Sequence, residues 1–139
     1  EKQTKEMYLK LKESATNLDL VGDVVYSCWY DEVYNGGYGG SISLAIASAK
    51  RYCQTECDTE KETKDFLDKT LVAISADKVP KGMEEQFKAI KMCINKHHEY
   101  YDFVVDVTGS FNSFSSRQEV IKKEYKAALT HLQLEMGIS

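Results

Sequence analysis

The sequence contains a single proline in 139 residues, and half of its eight glycines fall in one short stretch. Few helix-breaking residues favour long helices joined by few loops. No segment alternates apolar and polar residues as a half-buried strand does, and no run of about 18 apolar residues could span a membrane. These absences predict an all-α fold without a transmembrane segment.

The sequence also lacks a basic stripe. Eighteen lysines and arginines are interspersed with 22 acidic residues, for a net charge of -4. Nucleic-acid binding requires a concentrated basic surface, so we expect no nucleic-acid partner. A chain of this length can bury one core unaided, which predicts a single helical-bundle domain over residues 1–139.

The clearest helical pattern covers Glu84–Thr108. Its apolar stripe recurs at spacings of three and four, and comprises Phe87, Ile90, Ile94, His97, Tyr101, Val104 and Thr108. Further residues beside the stripe widen it, namely Cys93, Tyr100 and Val107. A stripe of this width is typical of a central bundle helix that contacts neighbours on more than one side.

Two other long helices follow from the same periodicity. The first runs from about Thr4 to Tyr34, with Gly22 in its stripe marking a close approach of a neighbouring helix. The last begins at a Ser116–Glu119 capping box, after a Thr108–Ser115 loop, and ends at Gly137.

The region between Ser41 and Ala76 allows two interpretations. One is a single long helix with a polar middle, which the absence of glycine and proline favours. The other is two helices that meet near Cys57, the second starting at a Thr59–Glu62 capping box. Asp77–Gly82 then forms a turn around Pro80. The prediction is an antiparallel up-down bundle of four long helices, the second broken near Cys57 in the alternative interpretation.

Asn35–Gly40 is a glycine-rich segment that ends the first helix, and Ser41 can cap the next one. Such a loop could cradle an anion at a helix N-terminus. However, it lacks the lysine and Ser/Thr of a phosphate loop, and no strand precedes it. A helix-to-helix turn with an exposed Tyr38 is the favoured interpretation.

Cysteines and a histidine provide the candidate metal ligands, which are Cys53, Cys57, Cys93 and His97. Each of the pairs Cys53–Cys57 and Cys93–His97 is spaced one helical turn apart, and zinc accepts such a set. In a regular bundle the two pairs differ in height by about 10 Å, and Cys28 and Cys53 by about 9 Å, too far for a disulfide. Free thiols or one distorted bridge are favoured over a metal, and no cofactor is expected.

His97 on an apolar stripe could act as a general base if it faced a cavity, whereas His98 is expected to point to solvent. No nucleophile occupies a matching position. Asp102 and Asp106 lack the Glu-x-x-His pattern of di-iron bundles, and are expected to form a solvated edge. The sequence therefore predicts a protein that is not an enzyme.

Aromatic residues are frequent, with nine tyrosines and five phenylalanines. If the Gly36 turn and the end of the last helix lie at opposite poles, each pole carries aromatic side chains able to anchor a partner. The candidate partner-binding residues are Tyr34, Tyr38, Phe111 and Phe114.

The segment HHEYYDFVVDV, the turn Gly109-Ser110-Phe111-Asn112-Ser113-Phe114 and the final amphipathic helix together resemble the closing half of uncharacterised helical proteins from Gram-positive bacteria. The resemblance covers roughly residues 80–136 and carries no catalytic residues. It implies an extracytoplasmic location, after either a secretory signal or a lipoprotein-type signal that provides a lipid anchor upstream; a cytoplasmic location is the alternative. The functional prediction is a non-enzymatic interaction domain, with a metal- or small-molecule-binding bundle as the alternative.

Overall fold

A computed structural model of the chain describes residues 2–76 and 79–138, which contain five helices and no strand. They are α1 (Lys2–Asn35), α2 (Ile42–Tyr52), α3 (Gln54–Ala76), α4 (Glu84–Val105) and α5 (Phe111–Met136). The predicted all-α fold is confirmed. Of the turn predicted at Asp77–Gly82, Asp77 and Lys78 lie outside the described residues.

The core forms two apolar clusters along α1. One surrounds Val25 and Trp29 and includes aromatic rings of α4 and α5. The other surrounds Met7 and Leu11 and includes Ile90 and other apolar residues of α4. Because α1 contributes to both clusters and contacts all four other helices, it occupies the centre that the sequence assigned to α4.

The favoured single helix from Ser41 to Ala76 is wrong, since the chain leaves helical geometry at Cys53 (φ -102°, ψ 24°). The break lies four residues before the alternative position near Cys57. Cys53 N–H still donates to Ala49 O, and the Cys53 carbonyl accepts from Cys57 N–H at 2.9 Å. Both backbone groups of Cys53 are therefore hydrogen-bonded at the bend. No glycine or proline is needed because α2 packs on α1 whereas α3 also packs on α4.

The predicted loop at Thr108–Ser115 is shorter than expected, because α5 begins at Phe111. Ser110 is the N-cap, and its hydroxyl accepts a hydrogen bond from Ser113 N–H at 3.2 Å. The capping box proposed at Ser116 is therefore wrong. Gly137 ends α5 in left-handed geometry (φ 68°), as the sequence predicted.

Gly22 lies where α1 meets α5. A Cβ atom built there would clash with the Gln118 amide, whose Nε2 would be 2.3 Å away, and would contact Val104 Cγ1 at 3.5 Å. The atoms nearest Gly22 belong to side chains of α5 and α4, so the glycine makes room for Gln118 and not for the backbone of a neighbouring helix. The Gln118 side chain fills the space and donates to Asp23 Oδ1 at 3.3 Å.

Candidate functional site

Four aromatic rings at the end of α1 and the start of α5 form one surface, here called the aromatic surface (Tyr26, Tyr30, Tyr34 and Phe111). The Tyr30 and Tyr34 ring centroids are 4.6 Å apart, and those of Tyr26 and Phe111 are 5.1 Å apart. Tyr30 and Tyr34 are 44% and 60% exposed, respectively. The four rings therefore pack against one another, and two of them, Tyr30 and Tyr34, also face solvent.

Trp29 lies directly beneath this surface. Its ring centroid is 5.8 Å from that of Phe111 and 5.6 Å from that of Phe114. The indole Nε1 is buried and has no hydrogen-bond partner among the described residues, although a buried indole N–H was expected to find one.

Of the four predicted partner-binding residues, only Tyr34 and Phe111 belong to the aromatic surface. Tyr34 and Phe111 come together at one pole, with ring centroids 6.1 Å apart, and so do not occupy the opposite poles considered above. Phe114 is 1% exposed and stacks on Phe103 at 4.6 Å, so it belongs to the core and not to a surface. Tyr38 is half-buried, which contradicts its expected exposure.

The glycine-rich turn does bind an anion, and that anion belongs to the chain itself. The buried carboxylate of Glu32 accepts hydrogen bonds from Tyr38 N–H at 2.9 Å and Gly40 N–H at 3.1 Å. Positive φ angles at Gly36, Gly39 and Gly40 turn these amides inward. The turn is thereby closed to an external phosphate, and it holds the end of α1 against the start of α2.

All four cysteines are free thiols, so their even number lends no support to export. Cys93 is buried and donates to Ala128 O at 3.0 Å, and burial raises its pKa to about 12. Burial also raises the pKa of Cys53 to about 11. Within residues 2–76 and 79–138, no three His, Cys, Asp or Glu side chains are placed to hold a metal ion.

His97 is fully buried, and it faces a carboxylate. Its Nε2 lies 2.9 Å from Glu60 Oε1, and its Nδ1 lies 3.1 Å from His98 Nδ1. His98 is half-buried and not directed freely to solvent, because its Nε2 lies 2.7 Å from Asp68 Oδ1. Both ring nitrogens of His97 are occupied, which leaves none for a metal or a substrate.

Glu60 accepts a further hydrogen bond from Asn17 Nδ2 at 2.9 Å. Burial alone would raise the pKa of this carboxyl, but the polar groups around it outweigh burial and lower it, His97 first and then Ser14 and Asn17. Glu60 is therefore ionised inside the bundle.

Sequence reasoning missed Glu60 and Asp68. Both lie in a polar stretch that resembles a solvated helix face. The available signal was spacing, since Glu60 lies one heptad after Cys53 and one before Leu67, and all three are buried. Asp102 is exposed and lies 3.7 Å from Lys64 Nζ.

Neither protein-family models nor curated proteins nor solved structures match this chain. The resemblance of residues 80–136 to Gram-positive helical proteins, and the extracytoplasmic location that it implies, stay predictions. Across residues 2–76 and 79–138, none of the helices combines the length and the apolar character needed to cross a bilayer.

Proposed function

We propose that the chain is a non-enzymatic protein-interaction domain whose aromatic surface binds a basic segment of a partner. The observation that carries this proposal is the group of four mutually packed rings, two of them exposed, at one end of the bundle. Contiguous exposed aromatic side chains are typical of interaction sites. Val33, 46% exposed, extends the apolar area along α1.

The charge distribution favours a cationic partner. No lysine or arginine occurs between Lys12 and Lys50, whereas that stretch contains Asp19, Asp23 and Asp31 among other acids. Arg117, the first basic residue of α5, is engaged over the Phe103 ring at 5.2 Å. An arginine or lysine of the partner would meet tyrosine faces, which attract cations, in acidic surroundings that accelerate encounter.

We further infer that the helices form an antiparallel up-down bundle in which α2 and α3 together act as the second helix. Pairs between α1 and α5 support this, because Tyr125 bonds to Leu11 and Gln118 to Asp23. Likewise, Lys64 of α3 pairs with Asp102, and Asp68 with His98. In these contacts of α1 with α5 and of α3 with α4, the later residue of one helix meets the earlier residue of the other.

Trp29 provides the assay, since it is the only tryptophan and lies beneath Phe111. The probe is a peptide of four Arg-Gly-Gly repeats, compared with its Glu-Gly-Gly counterpart, and binding is measured by tryptophan fluorescence. The proposal predicts saturable binding of the arginine peptide alone, weakened by salt.

The matched variants are Tyr34→Ala on the aromatic surface and Tyr52→Ala, which alters a 78% exposed tyrosine of α2. An exposed cation–π contact contributes about 0.5–1 kcal/mol, so Tyr34→Ala should weaken binding about two- to five-fold. Tyr52→Ala should leave affinity unchanged. Equal affinity of the parent and Tyr34→Ala, or equal binding of the acidic peptide, would overturn the proposal.

A further inference from the structure

Three hydrogen bonds connect four side chains of α3 and α4 in a line. Asp68 bonds to His98, His98 to His97, and His97 to Glu60, at donor–acceptor distances of 2.7, 3.1 and 2.9 Å, respectively. The line begins at a half-exposed carboxylate and ends at a buried one. It therefore joins the bundle surface to its interior.

The number of protons in this line follows from the chemistry of its atoms. Carboxylate oxygens and bare ring nitrogens only accept, so each of the three bonds requires one proton. Two neutral histidines supply two protons, and two charged histidines supply four. The intact line holds three, and the extra proton can reside on His98 or on His97 without breaking a bond.

We propose that Asp68, His98, His97 and Glu60 form a single-proton site that fastens α3 to α4 and makes the stability of the bundle greatest near pH 6.5. With fewer protons, the two Nδ1 lone pairs would face each other across 3.1 Å. With more, two N–H groups would face each other there.

The pH of maximum stability comes from the unfolded chain, in which histidine is half-protonated at about pH 6.5. Above that pH the unfolded chain binds one proton fewer than the folded line, so stability falls as pH rises. Below that pH it binds one proton more, so stability falls as pH falls. On either side of pH 6.5, the equilibrium constant for folding therefore falls by up to tenfold per pH unit.

Titratable and charged side chains surround the line on four helices, and are Asp19 of α1, Cys57 and Lys64 of α3, Cys93, Tyr101 and Asp102 of α4, and Tyr125 of α5. Lys64 and Asp102 form an ion pair with opposite charges. Burial raises the pKa of Cys57, of Tyr101, of Tyr125 and, to about 12, of Cys93. These four groups therefore stay protonated near pH 6.5.

The test is the pH dependence of urea unfolding in the parent and in Asp68→Asn. The asparagine amide can donate to a neutral His98, so the line then needs only two ring protons. Above pH 6.5 the folding constant of the parent should fall by up to tenfold per pH unit. That of Asp68→Asn should not fall over the same range. His131→Gln, which alters an exposed histidine of α5, should behave like the parent.

The proposal would be overturned if the stability of the parent did not change between pH 6.5 and 8.5. It would also be overturned if Asp68→Asn lost stability above pH 6.5 as the parent does. Should Asp68→Asn fail to fold, Glu60→Gln makes the same amide replacement at the other end of the line. Its stability should likewise not fall above pH 6.5. A direct readout is the imidazole nitrogen spectrum at pH 7.5. It should show three ring N–H groups on His97 and His98, and a count of two contradicts the site.

Discussion

Replacing Glu60 by alanine tests the buried end of the line. It removes the acceptor for His97 Nε2 and for Asn17 Nδ2, both of which lie 2.9 Å away. A buried donor left without an acceptor costs about 1–3 kcal/mol, so the two together should cost about 4 kcal/mol, out of a total stability of about 5–15 kcal/mol. Glu60→Gln retains both bonds, since its carbonyl accepts from Asn17 and its amide donates to a neutral His97, and should cost about 1 kcal/mol.

Urea unfolding at pH 6.5 measures the difference. With a slope of about 2 kcal/mol per molar urea, the midpoint of Glu60→Ala should fall by about 2 M, and that of Glu60→Gln by about 0.5 M. Glu62→Ala is the control, because Glu62 is an exposed neighbour on α3. A loss below about 1 kcal/mol in Glu60→Ala, or equal losses in the two Glu60 variants, would refute the reasoning.

Acid adds a second signature at the same residue. Because the pKa of Glu60 is lowered in the folded state, burial notwithstanding, its stabilisation is present above the ordinary value of 4.5. That stabilisation is lost as pH falls through the lower folded value. The difference in stability between the parent and Glu60→Gln should therefore shrink below pH 4.5.

The remaining predictions concern packing and reactivity. Gly22→Ala should lower stability by about 1 kcal/mol by thermal unfolding, because crowding of Gln118 exceeds the gain in helix propensity; a stabilised variant would contradict that packing. Phe114→Ala should cost about 3–5 kcal/mol as a core cavity; a cost near zero would mean that the ring is exposed. Cys93 should resist alkylation at pH 8 in the native protein, while half-buried Cys28 reacts; mass spectrometry after timed iodoacetamide treatment measures both, and equal rates would contradict the burial.

Periodicity predicted the helices because apolar spacing directly records which face is buried. Ile90, Ile94, His97 and Val104 of the predicted α4 stripe are buried, whereas Thr108 is exposed and lies beyond the end of the helix. Periodicity could not predict the break at Cys53, because the bend results from the packing of α2 and α3 on different neighbours and not from a glycine or proline. The start of α5 was misplaced because the Ser116–Glu119 pattern resembles a capping box, whereas Ser110 caps the helix.

The candidate sites show a similar division. The tyrosines near the end of α1 were recognisable from their spacing, but which rings meet depended on the placement of Phe111. His97 was recognised as buried, yet its partners Glu60 and Asp68 lie 37 and 30 residues away in sequence. Pairing between distant polar residues leaves no periodic trace in a single sequence.

The most direct test of the interaction surface is backbone NMR of the labelled protein during titration with the Arg-Gly-Gly peptide. The account predicts saturable shifts concentrated at residues 26–34 and at Phe111, with the half-saturating peptide concentration raised about two- to five-fold in Tyr34→Ala and unchanged in Tyr52→Ala. Shifts centred elsewhere, for instance around Tyr52, or no shifts at saturating peptide, would contradict it.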